Sequence, residues 1–221
     1  MYKLLLAFHI AGGVTALGTA AGALVTSKGD RWHIYFGRAF ALGMLIVFLT
    51  ALPMTFLKPN LFLFLIAIFS FYLVLTGWLR ARNRSGMPTL ANWIASTAMT
   101  ITAVAMGVQG MTMFRAGDSM GIVLLTLGGI GGAFALRDLY FLRSRRYRGA
   151  LRIADHLSRM LGGTIAAVTA FTVVNVRFEP AFVVWLAPTV VLTPLIVYWN
   201  VRVRRPARAG TVTSRGATGT S

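Results

Sequence analysis

Cysteine is absent from the chain. Its absence removes disulfides, iron–sulfur clusters, c-type haem attachment, thiolate zinc sites and cysteine nucleophiles together. Acidic residues are nearly as scarce, with 5 Asp and Glu among 221 residues against 22 Lys and Arg. Charge of either sign amounts to 12% of the chain, about half the quarter found in soluble domains. Three motif classes are also missing. There is no phosphate-cradling Gly-Lys-Ser/Thr loop, no G-x-S-x-G and no H-E-x-x-H, so nucleotide hydrolysis and the common hydrolase chemistries have no residues to rest on.

What fills the space is apolar. Hydrophobic residues make up 57% of the sequence and the mean hydropathy is +0.71. They fall into seven segments of the length that crosses a hydrocarbon core of about 30 Å. The segments run from Tyr2 to Thr26, Ile34 to Leu57, Leu61 to Trp78, Thr89 to Phe114, Met120 to Leu142, Leu157 to Val176 and Ala181 to Val201. Lipid offers the backbone no hydrogen-bond partner, so each segment is expected to be helical. The fold class that follows is an all-α integral membrane bundle of seven transmembrane helices, occupying residues 1–204. Residues 205–221, rich in Arg, Gly, Thr and Ser, read as a disordered basic tail. A signal-peptide reading of the first segment fits less well, because Leu4 to Val25 exceeds the apolar core of such a peptide.

Cation placement orients the bundle. Lys3, Lys58, Arg115 and Arg177 fall on one side, and the remaining eighteen Lys and Arg fall on the other or in the tail. Cytoplasmic loops carry the excess of Lys and Arg, which places the N-terminus outside and the C-terminus in the cytoplasm. Trp32, Trp78 and Trp199 border the basic clusters and Trp185 the opposite boundary, as interfacial anchors do. The formal charge of +17 is accordingly expected to meet anionic lipid headgroups, not nucleic acid.

Intramembrane ionisable groups mark candidate sites because burying them is costly. His9 lies seven residues into the first segment on a face with Gly12, Gly13, Ala16, Ala20 and Ala23, and His156 opens the sixth on a face with Gly163, Ala167, Ala170 and Val174. Small residues permit close helix approach, so both histidines are expected to look inward as cofactor-binding candidates, for a divalent metal or haem b. His33, Asp138 and His156 share the cytoplasmic side and form the candidate nitrogen–oxygen metal site, with Asp30 or Asp155 as additional donors. His9 should lie roughly 20 Å from the other two histidines, which argues against one three-histidine centre. The plainer alternative is a helix-end network in which Arg38, Arg137 and Arg159 neutralise the carboxylates. Met99, Met106 and Met113 repeat at heptad spacing and read first as packing. Gly18 with Gly22 and Gly128 with Gly132 need only close helix contact. Pro188 and Pro194 interrupt the last segment and imply a kink.

Several of these residues occur in a recognisable order. His9-Ile10-Ala11-Gly12, Lys28-Gly29 followed by His33 and Gly37-Arg38, then Asp138, His156, Met160 and Thr169-Ala170-Phe171 ending at Asn175 give residues 9–175 a pattern. It resembles the bacterial multi-pass membrane proteins grouped as domain of unknown function 2306. Ile34 stands where that pattern has an arginine after the second histidine, with Arg38 one turn on. The resemblance implies a bacterial inner-membrane protein in which the three histidines are shared features, and it carries no activity.

Three functional classes are compatible with these residues. The leading expectation is a non-enzymatic module that binds a metal or haem through inward histidines in support of a respiratory or redox process, with a membrane-protein partner or a second copy. The others are a small proton-coupled transporter using Asp138 and His156, and a membrane metalloenzyme with a cytoplasmic-side His/Asp centre.

Overall fold

The computed structural model describes residues 1–144 and 148–204. The tail expected from Arg205 onward, and the Arg145-Arg146 pair, lie outside the described residues. Those described form seven α-helices: α1 (Tyr2–Val25), α2 (Arg31–Leu57), α3 (Leu61–Arg82), α4 (Leu90–Arg115), α5 (Gly121–Ser144), α6 (Gly149–Asn175) and α7 (Ala181–Arg204). Each is long and apolar enough to cross a membrane, and none of the described residues is in a strand. This is the architecture of a multi-pass membrane bundle.

Burial follows the rule expected in lipid. Val14, Ile101, Val174 and Val190 lie on the outside with 65–78% of their surface exposed, whereas Arg80, Asn92, Ser96, Asp138, Asp155 and Arg159 are buried. In water that distribution would forfeit apolar burial and desolvate charge together; against hydrocarbon both terms reverse.

α1 and α2, α4 and α5, and α6 and α7 pack as sequential hairpins, and α3 sits at the centre against α2, α4, α5 and α6. Two apolar cores flank α3. One joins Leu65, Phe69 and Leu73 of α3 to Met99 and Met106 of α4 and to Leu124 and Leu127 of α5. The other joins Val74 to Ala16 and Ala20 of α1, Phe40 and Met44 of α2 and Ala167 of α6. The methionine stripe therefore packs: Met99 Cε reaches toward Gly131, and Met106 toward Gly128. α7 is the least buried helix, with Val184 and Pro188 its buried residues, and it continues through both prolines.

Two helices extend a full turn or more beyond the apolar segments. α3 continues to Arg82, and α6 begins at Gly149, two turns before Leu157. Hydropathy alone stops at charged residues. Here Arg80, Asp155 and Arg159 find partners inside the bundle, so the polar turns remain helical.

The hairpins depend on missing side chains. A Cβ on Gly43 would stand 2.8 Å from the Gly12 carbonyl oxygen and 3.0 Å from the Ala16 nitrogen, both backbone atoms that cannot step aside. A Cβ on Gly13 would meet nothing within 4 Å. Gly43→Val is expected to destabilise the bundle by about 1–3 kcal/mol through overpacking. Gly13→Ala should stay within about 0.5 kcal/mol of the parent. Unfolding of both variants in detergent micelles by heat or denaturant checks the contrast.

Candidate functional site

One end of the bundle collects the ends of α1, α3, α5 and α7 and the starts of α2, α4 and α6, and it is the basic end. Arg31 lies over Trp32, Arg82 over Trp78, and Lys28 and Arg202 over Trp199, at 4.7–5.6 Å from the rings. Arg148 donates to the Ser85 carbonyl, and Arg152 donates to the carbonyls of Arg80 and Ala81. Both therefore fasten α6 to the end of α3.

Beneath these surface cations lies a closed charge network. Tyr72, Thr76 and Arg80 recur at four-residue spacing on one face of α3. On α6, Asp155 and Arg159 stand one turn apart. Arg80 donates through Nη2 to Asp138 at 3.1 Å and through Nε to Asp155 at 3.0 Å. Arg159 repeats the bridge, with Nη2 to Asp138 at 2.6 Å and Nε to Asp155 at 2.9 Å. Its remaining nitrogen, Nη1, donates to the Thr76 hydroxyl, and its guanidinium lies against the rings of Tyr72 and Phe134. Asp138 also accepts from the Tyr72 hydroxyl at 2.7 Å and from Ser96 of α4 at 3.4 Å. Arg137 adds a further pair to Asp155 from the rim.

The planar fork of arginine explains the design, because each guanidinium presents donors in two directions and can bridge two carboxylates. The bidentate bridges draw α3, α5 and α6 together while compensating the buried charge. The expected helix-end network is therefore present with Arg137 and Arg159, and Arg80 takes the place expected of Arg38.

The three histidines stand apart from it. His9 Nδ1 lies 3.0 Å from the Thr50 hydroxyl, whose own proton goes to the carbonyls of Ile46 and Val47, so His9 is the donor. His33 Nδ1 donates to the Ala23 carbonyl at 3.0 Å and His156 Nδ1 to the Gly77 carbonyl at 2.8 Å. A carbonyl only accepts, so each neutral ring carries its proton on Nδ1 and keeps a lone pair on Nε2.

Their depths differ. His9 bonds Thr50, seventeen residues along α2 from His33, which is roughly 25 Å at the helical rise. His33 and His156 are level. Phe40 lies two turns after His33, and its Cζ sits 3.5 Å from where a Cβ on Gly163 would stand, two turns after His156. Seven residues return a helix to nearly the same face, so the two histidines occupy matching positions on co-directional helices that both pack against α1 and α3. The imidazoles are held by carbonyls of α1 and α3, the two helices that α2 and α6 share.

Asp138 belongs to the arginine network, and among the described residues no three His, Asp or Glu side chains gather as a metal-binding group. His33 and His156 thus stand level without Asp138, while His9 is separated from His156 by most of the bundle. The inward stripe of His156 holds at Gly163 and Ala167 and turns outward at Ala170 and Val174. Arg80 falls just past the apolar segment ending at Trp78 and so resembles a loop cation in the sequence, and Tyr72, Thr76 and Ser96 are polar without being charged. The four-residue polar spacing on α3 was the signal for the first three.

No family model, curated protein or solved structure matches the chain.

Breaking the network from one side leaves an uncompensated buried arginine. Asp138→Ala is expected to lose about 3–5 kcal/mol of stability. Pairing Asp138→Leu with Arg159→Met removes one charge of each sign, and Arg80 and Arg137 still neutralise Asp155. The double variant should recover most of the loss, read as a coupling energy in a detergent unfolding cycle.

Proposed function

We propose that the chain is a bacterial inner-membrane protein that binds one transition-metal ion between His33 and His156 at its cytoplasmic end. The orientation rests on the clustering of Lys and Arg at the end where α2, α4 and α6 begin. The likeness of residues 9–175 to domain of unknown function 2306 favours the same membrane. Anionic headgroups are the natural partner of the exposed cations at that end.

The observation that carries the metal reading is the matched tautomer and register of the two histidines. Ligating imidazoles characteristically donate the other ring N–H to a carbonyl or carboxylate, which fixes the ring and raises its basicity. Ala23 and Gly77 supply those carbonyls, from α1 and α3. Gly77 has a packing reason as well, since a Cβ there would meet Arg159 Cβ at 3.0 Å and Met160 Sδ at 3.1 Å. Its bare backbone lets α6 come close enough for the His156 hydrogen bond. The arginine network holds α6 against α3 and so sets the position of His156, adjacent in sequence to Asp155.

Elemental analysis of the detergent-purified protein, loaded with Cu(I) or Zn(II) and desalted, is expected to give about one ion per chain, the stoichiometry of a closed two-ligand site. His33→Ala and His156→Ala should each lose it. A folded parent chain that retains neither ion rejects the proposal. For orientation, a reporter enzyme active only in the periplasm should be silent when fused after Arg84 and active when fused after Asp118. The reverse pattern would invert the bundle.

A further inference from the structure

Which ion two histidines take depends on what else surrounds them, and here the surroundings are short of donors and rich in positive charge. Lys28 stands beside His33, sharing a backbone carbonyl with it. Its ammonium donates to the Ala23 carbonyl at 2.9 Å, the same oxygen that accepts from His33 Nδ1, and to those of Leu24 and Thr26. Partial burial holds the Lys28 ammonium pKa below its usual range, with the group outside the membrane-spanning helices. Arg152 stands one turn before His156 on the same helix and is held there by the carbonyls ending α3. Arg31 and Arg38 flank His33 on α2.

The nearby carboxylates are already engaged. Asp30 caps α2, its Oδ1 accepting from the His33 backbone nitrogen at 2.7 Å. Asp155, beside His156, is shared among Arg80, Arg137 and Arg159. Neither joins the histidines in a three-residue group.

Resting on the two-histidine reading above, we infer that the ion is Cu(I), a soft monovalent cation held by the two Nε2 atoms. Zn(II) ordinarily takes at least three protein ligands, and a carboxylate or thiolate commonly offsets its charge. Cu(I) is soft and singly charged, so it is content with two nitrogen donors and loses less hydration on entering a half-buried site. The field of the surrounding cations acts in the same direction, since repulsion scales with the charge of the ion. Two neutral imidazoles with flanking cations therefore select for low charge and low coordination number together.

The test uses the full chain in detergent under anaerobic, reducing conditions. Cu(I) is supplied as its coloured bicinchoninate complex, and Zn(II) binding is read by competition with a chromophoric chelator. One Cu(I) per chain is expected, bound at least about thirtyfold more tightly than Zn(II), the effect of one uncompensated unit charge at about 8 Å in an effective dielectric of about 20. His156→Met should keep Cu(I) and lose Zn(II), because a thioether is a ligand for the soft ion, whereas His156→Leu should lose both. Both variants delete the bond to the Gly77 carbonyl, so structural damage is common to them and only the donor differs. Zn(II) bound as tightly as Cu(I) would overturn the ion assignment and leave the two-histidine site standing. A folded His156→Met chain that releases Cu(I) as readily as His156→Leu would also overturn the assignment. Failure of the parent chain to hold either ion would reject the site itself.

Discussion

Four side chains, Arg80, Asp138, Asp155 and Arg159, allow this bundle to keep charge inside a membrane-spanning fold. Each is buried to 4% exposure or less. Each arginine bridges both carboxylates. An isolated ion there would be expelled or neutralised; the closed set compensates its own charge and satisfies its donors directionally. Because its members come from α3, α5 and α6, the condition for keeping the charge is also a condition on helix position. Ser96 carries the constraint to α4, and the Arg152 bonds to α3 carry it to the basic rim.

The histidine pair inherits its geometry from that frame. His156 follows Asp155 directly and is one turn from Arg152, so fixing either α6 residue against α3 aims the imidazole at the Gly77 carbonyl. His33 is set differently, by the cap of Asp30 at the start of α2 and by the carbonyl end of α1. The two routes converge because α2 and α6 run in the same direction, both packed on α1 and α3, with Phe40 reaching toward Gly163 to hold the register. Each ring is thus oriented through Nδ1 by a backbone carbonyl of a packed helix.

The division between the two halves of the bundle is also one of polarity. Toward the end where α2 finishes, contacts are mostly apolar or aromatic, such as Phe48 stacked on Phe71 and Phe62 against Trp185, and His9 bonds a threonine hydroxyl. At the opposite end the buried polar contacts centre on Arg80 and Arg159. The protein thus has one end built on packing of small and aromatic residues and another built on compensated charge.

The sequence by itself determined the solvent and the element list. Seven apolar runs of spanning length, broken by turn residues, specify helices because no other backbone arrangement satisfies its hydrogen bonds locally in hydrocarbon. It also showed that Asp138 is exceptional and that the first histidine is far in depth from the others, since both follow from position along a helix of known rise. It left Asp138 with two possible owners, a metal or the arginines. Tertiary structure decided for the arginines, because the direction of Arg80 depends on α3 being extended a turn past its apolar segment and lodged at the centre of the bundle. It also decided that His33 and His156 stand level, which requires the register of Phe40 on Gly163 between helices more than a hundred residues apart. Depth is a property of one helix and is legible in its residues; register belongs to a pair of helices and exists only when they pack.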